Sequence, residues 1–152
     1  MRKQLLKGLA MLVAIMALAM VSAVASANGQ SRTSKANVPF EFMVGDKSLP
    51  AGAYTIASAS AAGDALRVRS VESNESALRI TSLLSGKSSP KLVFHRYGER
   101  YFLAEVWSTA GDGRQLMTCK QERAIQKEFS RLGSNKSAPR AYETVAVALA
   151  VQ

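Results

Sequence analysis

The chain has 152 residues, with 20 Lys and Arg against 11 Asp and Glu, for a net charge of +9. It holds one His (His95), one Cys (Cys119) and one Trp (Trp107). That set excludes an internal disulfide and a zinc site of His and Cys ligands, and the scattered basic residues match no nucleic-acid motif.

The first residues read as a secretory signal peptide. Arg2, Lys3 and Lys7 make a positive start, Leu9 to Val21 is apolar and uncharged, and Ala25-Ser26-Ala27 is an A-x-A cleavage site. Residues 1–27 are therefore expected to be removed, with the product periplasmic or secreted. The rival is a retained anchor, since Leu9 to Ala27 is nearly long enough to cross a bilayer. No transmembrane span is expected once the signal is gone. Residues 1–27 carry three basic side chains and no acid, so removing them lowers the charge from +9 to +6.

Residues 28–37 (NGQSRTSKAN) are polar and aperiodic, and are expected to form a flexible N-terminal segment. One β-rich domain is expected over 38–152. Val38, Phe40, Phe42 and Val44 alternate as one face of a first strand, with Pro39 favouring its start or a sheet edge. Turns follow at Gly45 to Ser48 and Leu49 to Gly52, and Tyr54 to Ala57 resumes a strand. Leu66 to Val71 and Ala77 to Leu84 form a hairpin. Its alternation predicts Leu66, Val68, Leu78 and Ile80 inward and Arg67, Arg69 and Arg79 outward. These three Arg form a candidate anion or headgroup stripe, or else an ordinary solvated face.

Lys91 to Trp107 (KLVFHRYGERYFLAEVW) is the central hairpin, turning at Gly98-Glu99. Gly at the first turn position supplies the positive φ of a type II′ turn. A two-residue loop pairs Tyr97 with Arg100 and His95 with Phe102. One face then carries Val93, His95, Tyr97, Phe102, Ala104 and Val106; the other carries Leu92, Phe94, Tyr101, Leu103 and Trp107. Both faces are apolar, so both are expected to be covered, one by a second sheet and the other by a helix, a loop or a second subunit. His95, Tyr97 and Trp107 are candidate interaction residues of this hairpin.

The stretch after Trp107, around Gly111-Asp112-Gly113, reads as turns. Thr118 to Leu132 reads as a helix, with Thr118 as cap, Gln121 completing a capping box, and a stripe of Ala124, Ile125, Phe129 and Leu132. Gly133 ends it and Ser134 to Arg140 is a linker. Cys119 in its first turn is either a buried thiol or one able to pair with another chain. Ala141 to Val151 is a last strand with Val145, Val147, Leu149 and Val151 on one face.

Catalytic signals are lacking. There is no G-x-S-x-G, and Gly86-Lys87-Ser88 has Thr81 where a P-loop needs its first Gly. Glu41, Glu105 and Glu143 fall in predicted strands, but no two are singled out as a hydrolytic pair. No cofactor and no metal site is implied.

VPFEFMVGDKSLPAGAYTI and KLVFHRYGERYFLAEVW together resemble a group of small secreted bacterial proteins without assigned function. Those proteins look like variations on PF-x-F-x-VG, LPAG-x-Y, KLVFHRYG and YFL-x-x-VW followed by a charged helical segment, and the likeness covers Val38 to Arg131. It implies no catalytic or ligand residues. LPAGAYTI also resembles a turn-strand element of extracellular immunoglobulin-like domains, which favours an antiparallel β fold.

The expected fold is mainly β: a single antiparallel β-sandwich or partly open barrel of about seven strands, with one helix packed near the C-terminus. The expected role is an exported, non-enzymatic binding or envelope-associated protein, with an unidentified protein or envelope partner or a second copy of itself. The alternatives are a carrier of a small apolar ligand, since a helix before a final strand resembles lipocalin-type architecture, and a carboxylate-based hydrolase.

Overall fold

Short runs of alternating side chains build this chain into strands, and two stretches of the chain pass from one layer to the other. The computed structural model describes residues 33–108, 112–132 and 142–151. The expected signal peptide, Gly111, the helix stop at Gly133 and the linker Ser134 to Arg140 lie outside the described residues. The strands are β1 (Ser34–Val38), β2 (Phe42–Val44), β3 (Lys47–Leu49), β4 (Gly52–Ser58), β5 (Ala65–Ser70), β6 (Ser76–Ser85), β7 (Lys91–Tyr97), β8 (Arg100–Trp107), β9 (Asp112–Leu116), β10 (Glu143–Ala148) and β11 (Ala150–Val151). The one described helix, α1, spans Lys120–Leu132.

Hydrogen bonds join the strands along the path β10-β7-β8-β9-β6-β5-β4-β1-β11, with β2 lying parallel to β8 and antiparallel to β3. The fold is thus mainly β, and the sheet does not close into a barrel. β6 pairs with β5 up to Ile80 and with β9 from Thr81 onward. The C-terminal stretch pairs with β7 up to Ala148 and with β1 from Ala150. At each switch a backbone N–H leaves the ladder and must find another acceptor. Thr81 N donates to Asp64 O at 2.7 Å, and Leu149 N donates to Pro90 O at 3.2 Å.

The two layers share one core. Phe42 meets the ring of Tyr54 on β4 at 5.0 Å and the ring of Phe94 on β7 at 5.3 Å, both edge-on. Val38, Leu49, Ile56, Val68, Leu92 and Val106 fill the space around them. Each large apolar side chain buried there contributes about 1.5–3 kcal/mol against the entropy of ordering the chain.

The central hairpin has the expected register, with Tyr97 opposite Arg100 and His95 opposite Phe102. Gly98 has φ 61°, and no non-glycine residue among those described has a positive φ, as a type II′ turn requires. The expected faces hold as far as Leu103. There Phe94 pairs with Leu103 while Val93 pairs with Glu105, leaving Ala104 as a bulge. The extra residue exchanges the faces beyond it. Val106 turns into the core, and Glu105 and Trp107 turn to the side of Val93.

Other expectations need correction. β1 forms inside the supposed flexible segment, because Ser34 and Ala36 alternate inward with Val38. Pro39 divides the predicted first strand, yet Val38, Phe42 and Val44 are all buried and Phe40 packs on the same core. β9 forms where turns are expected. Its Gly113 pairs with Trp107, and a Cβ there would lie 2.7 Å from the indole ring. The glycine makes room for a cross-strand ring and does not mark a turn. With these additions and splits, the described strands exceed the seven expected.

β6 faces the opposite way from its prediction. Leu66, buried, pairs with Arg79, and exposed Arg67 pairs with Leu78. Directly paired residues share a face, so Ala77 and Arg79 point inward while Leu78 and Ile80 point out. Leu78 is 58% and Ile80 65% exposed.

Candidate functional site

Two places gather the residues that carry chemistry. The first lies beneath α1, which covers the His95–Tyr97–Phe102 face of the hairpin. Cys119 caps this helix: its Sγ accepts the Glu122 N–H at 3.4 Å, and its carbonyl accepts the Arg123 N–H at 3.1 Å. The cap is therefore one residue later than the Thr118 expected. Cys119 is buried with Tyr97 and Phe102, so its thiol does not face another chain. The inward stripe of α1 consists of Cys119, Glu122, Ile125 and Gln126. Ala124 points outward and Phe129 is 46% exposed.

Glu122 is only 5% exposed and is the hub of this small polar cluster. Its Oε1 lies 2.8 Å from His95 Nδ1 and accepts the Tyr97 hydroxyl at 3.1 Å. Gln126 Nε2 donates to Tyr97 Oη at 2.7 Å. Because a carboxylate only accepts, the imidazole carries a proton on Nδ1. The Tyr142 ring stacks on His95 at 3.9 Å. Burial raises the Tyr97 hydroxyl above its usual value, and the negative charge of Glu122 adds to that shift. Glu122 also sits in the first turn of α1, where the helix dipole favours a negative charge. His95 Nδ1, Tyr97 Oη, Glu122 Oε1 and Gln126 Nε2 together link α1 to the sheet. The groups it unites from the predicted candidates are His95, Tyr97 and Cys119. Glu122 and Gln126 escaped prediction, although their i, i+4 spacing in line with Cys119 would have placed them on one helix face.

The second place is the outer surface of β4, β5 and β6. Arg67 and Arg69 point outward there as expected, and Leu78 and Ile80 stand beside them. Arg69 Nη2 reaches Asn74 Oδ1 at 3.5 Å. Arg79 does not join this stripe. Its Nη2 donates to Met117 O at 3.2 Å, its Nε is buried without a partner, and its guanidinium covers Gly45. Trp107 also stands apart, lying on Gly113 and donating from Nε1 to Glu105 at 2.8 Å.

The strand carboxylates are dispersed. Glu105 serves Trp107, Glu143 pairs with Arg96 at 3.3 Å, and Glu41 accepts from Ser48 Oγ at 2.5 Å. A cleft of about 340 Å³ brings Glu41 near Glu99 and Arg100. The Glu99 side chain is 96% exposed and extends into solvent. An apolar groove of about 470 Å³ opens where the C-terminal stretch leaves β7 for β1, lined by Ala36, Tyr54, Val71, Ala148 and Leu149. Among the described residues no three His, Cys, Asp or Glu side chains come together as a metal site, and no helix is long and apolar enough to cross a membrane. No protein-family profile, no curated protein and no solved structure matches this chain.

Proposed function

We propose that this chain is an exported, non-enzymatic binding protein of the cell envelope, and that the outer face of β4, β5 and β6 is its contact surface. One observation carries the reading: Leu78 and Ile80 stand mostly exposed beside Arg67 and Arg69 on a regular sheet face. Burying two such side chains on a partner is worth about 3 kcal/mol or more, and large exposed apolar groups beside charges are the usual makings of an interface. The buried cluster supports the non-enzymatic part, since Glu122, Tyr97 and Gln126 bond to one another and turn away from solvent.

The test is fractionation of the producing cell. Wild type is expected with the envelope fraction, and Leu78→Ser/Ile80→Ser is expected to move to the soluble fraction while keeping its thermal midpoint. Equal distribution of the two proteins would refute the reading. A second reading, carriage of a small apolar ligand, is favoured by the groove at Ala36, Tyr54 and Leu149. It requires an added mass of a small molecule on the native protein in mass spectrometry.

A further inference from the structure

The β4–β6 face has a composition that selects among partners. Strand register sets Lys35, Thr55, Arg69 and Ser76 in one row across β1, β4, β5 and β6. The next row sets Arg67 beside Leu78, and Ile80 follows opposite Ala65. Up to Ile80 the remaining outward positions of these strands are Ala, Ser, Thr or Asn, and farther along β6 Leu83 is also exposed. No carboxylate stands among them, and Lys35, Arg67 and Arg69 form no ion pair among the described residues. Acids flank the face: Asp64 just before β5, and Glu72 and Glu75 in the β5–β6 turn, where their charge adds to burial in raising the inward Tyr54 hydroxyl.

We infer that the partner of this face is an anionic lipid surface. This rests on the binding role proposed above and names its partner. Neighbouring strands lie about 4.8 Å apart, so the cations are spread over a broad sheet face floored by short side chains. Lys35 borders the apolar groove described above, but neither Arg67 nor Arg69 lines it, so the patch is not built to grip a single small anion. It matches a plane of phosphates, each basic residue near an anionic leaflet adding attraction of about 1 kcal/mol. Leu78 and Ile80 then enter the apolar layer just beneath the headgroups, as the apolar side chains of interfacial segments do. A second copy docked face to face would set these cations against their own kind, which opposes self-association.

The protein is taken as its own cell produces it, with its N-terminus defined by mass spectrometry, and is sedimented with vesicles. Phosphatidylcholine vesicles are compared with vesicles containing phosphatidylglycerol. Binding is expected only to the anionic vesicles, to weaken about tenfold or more in Arg67→Gln/Arg69→Gln, and to weaken again in Leu78→Ser/Ile80→Ser. Raising the salt should release the protein. Equal binding to neutral vesicles, no binding, or binding indifferent to both double variants would overturn the inference. So would a dimer in solution that Leu78→Ser/Ile80→Ser dissolves, because the face then holds a second copy. If cell fractionation depends on the face but no vesicle is bound, the lipid inference falls and the binding role stands. If fractionation does not depend on the face, the binding role falls with it.

Discussion

Replacing Glu122 by Ala removes the acceptor shared by His95 Nδ1 and the Tyr97 hydroxyl. A hydrogen bond to a charged group contributes about 1.5–3 kcal/mol, and a buried hydroxyl left without an acceptor costs about 1–3 kcal/mol. Glu122 serves two donors and is almost wholly buried, so we expect Glu122→Ala to lower stability by about 3–5 kcal/mol. Tyr97→Phe removes one donor and leaves His95 in place, and should cost about 1–2 kcal/mol. Once Glu122 is gone, the Tyr97 hydroxyl has no acceptor to lose. The double variant should therefore be less damaged than the sum of the two, with a coupling of about 1–2 kcal/mol. Urea unfolding followed by far-UV circular dichroism measures all three, and an unchanged m value confirms that the same surface is exposed. A loss below about 1 kcal/mol for Glu122→Ala, or additivity within about 0.3 kcal/mol, would refute the view that this cluster fastens α1 to the sheet.

The hydroxyls of Tyr97 and Tyr54 are both raised above 10.0, chiefly by burial. Their stabilising effect is thus complete below pH 10 and declines above it, as the unfolded chain releases protons that the folded chain keeps; Tyr97→Phe should flatten the decline in urea titrations at rising pH. Gly45 and Gly98 both have a positive φ, but only Gly45 lies under a guanidinium, that of Arg79. Gly98→Ala should cost about 1–2 kcal/mol from backbone conformation alone. Gly45→Ala should cost more, and Arg79→Ala should recover the excess in a double-variant cycle. Phe94→Ala, which opens a hole where the two layers meet, should cost about 3–5 kcal/mol and lower the thermal midpoint by more than any surface change.

The sequence was most legible where apolar residues alternate strictly. The register of β7 with β8 followed from Gly98, and the inward faces of β2 and the C-terminal stretch followed from their Val and Phe. Pattern failed where burial falls on small or polar side chains. Ser34 and Ala36 are too small to register as a hydrophobic face, and Gly113 looks like a turn until Trp107 is placed upon it. In β6, apolar Leu78 and Ile80 were assumed to seek the core. The pairing of Leu66 with Arg79 shows that they do not. Half of the candidate contact surface was thus hidden by the rule that apolar means inward. The exposed Arg67 and Arg69 were read correctly, but without the neighbours that give them meaning. The Ala104 bulge has no signature in its own residues, since it depends on how two strands meet.

The two stretches shared between the layers also govern how the molecule comes together. β11 pairs with β1, joining Val151 to Ser34 across nearly the whole chain. β6 belongs to both layers, so neither layer can detach without breaking the other. Such a molecule has no half that stands alone, and it should melt in one step. Its contacts are also predominantly distant in sequence, which makes folding slow because long loops must close before those contacts form. A chain emerging from synthesis cannot complete its first strand's ladder until its last strand arrives. The sheet stays open during that interval, with one edge of β1 unpaired.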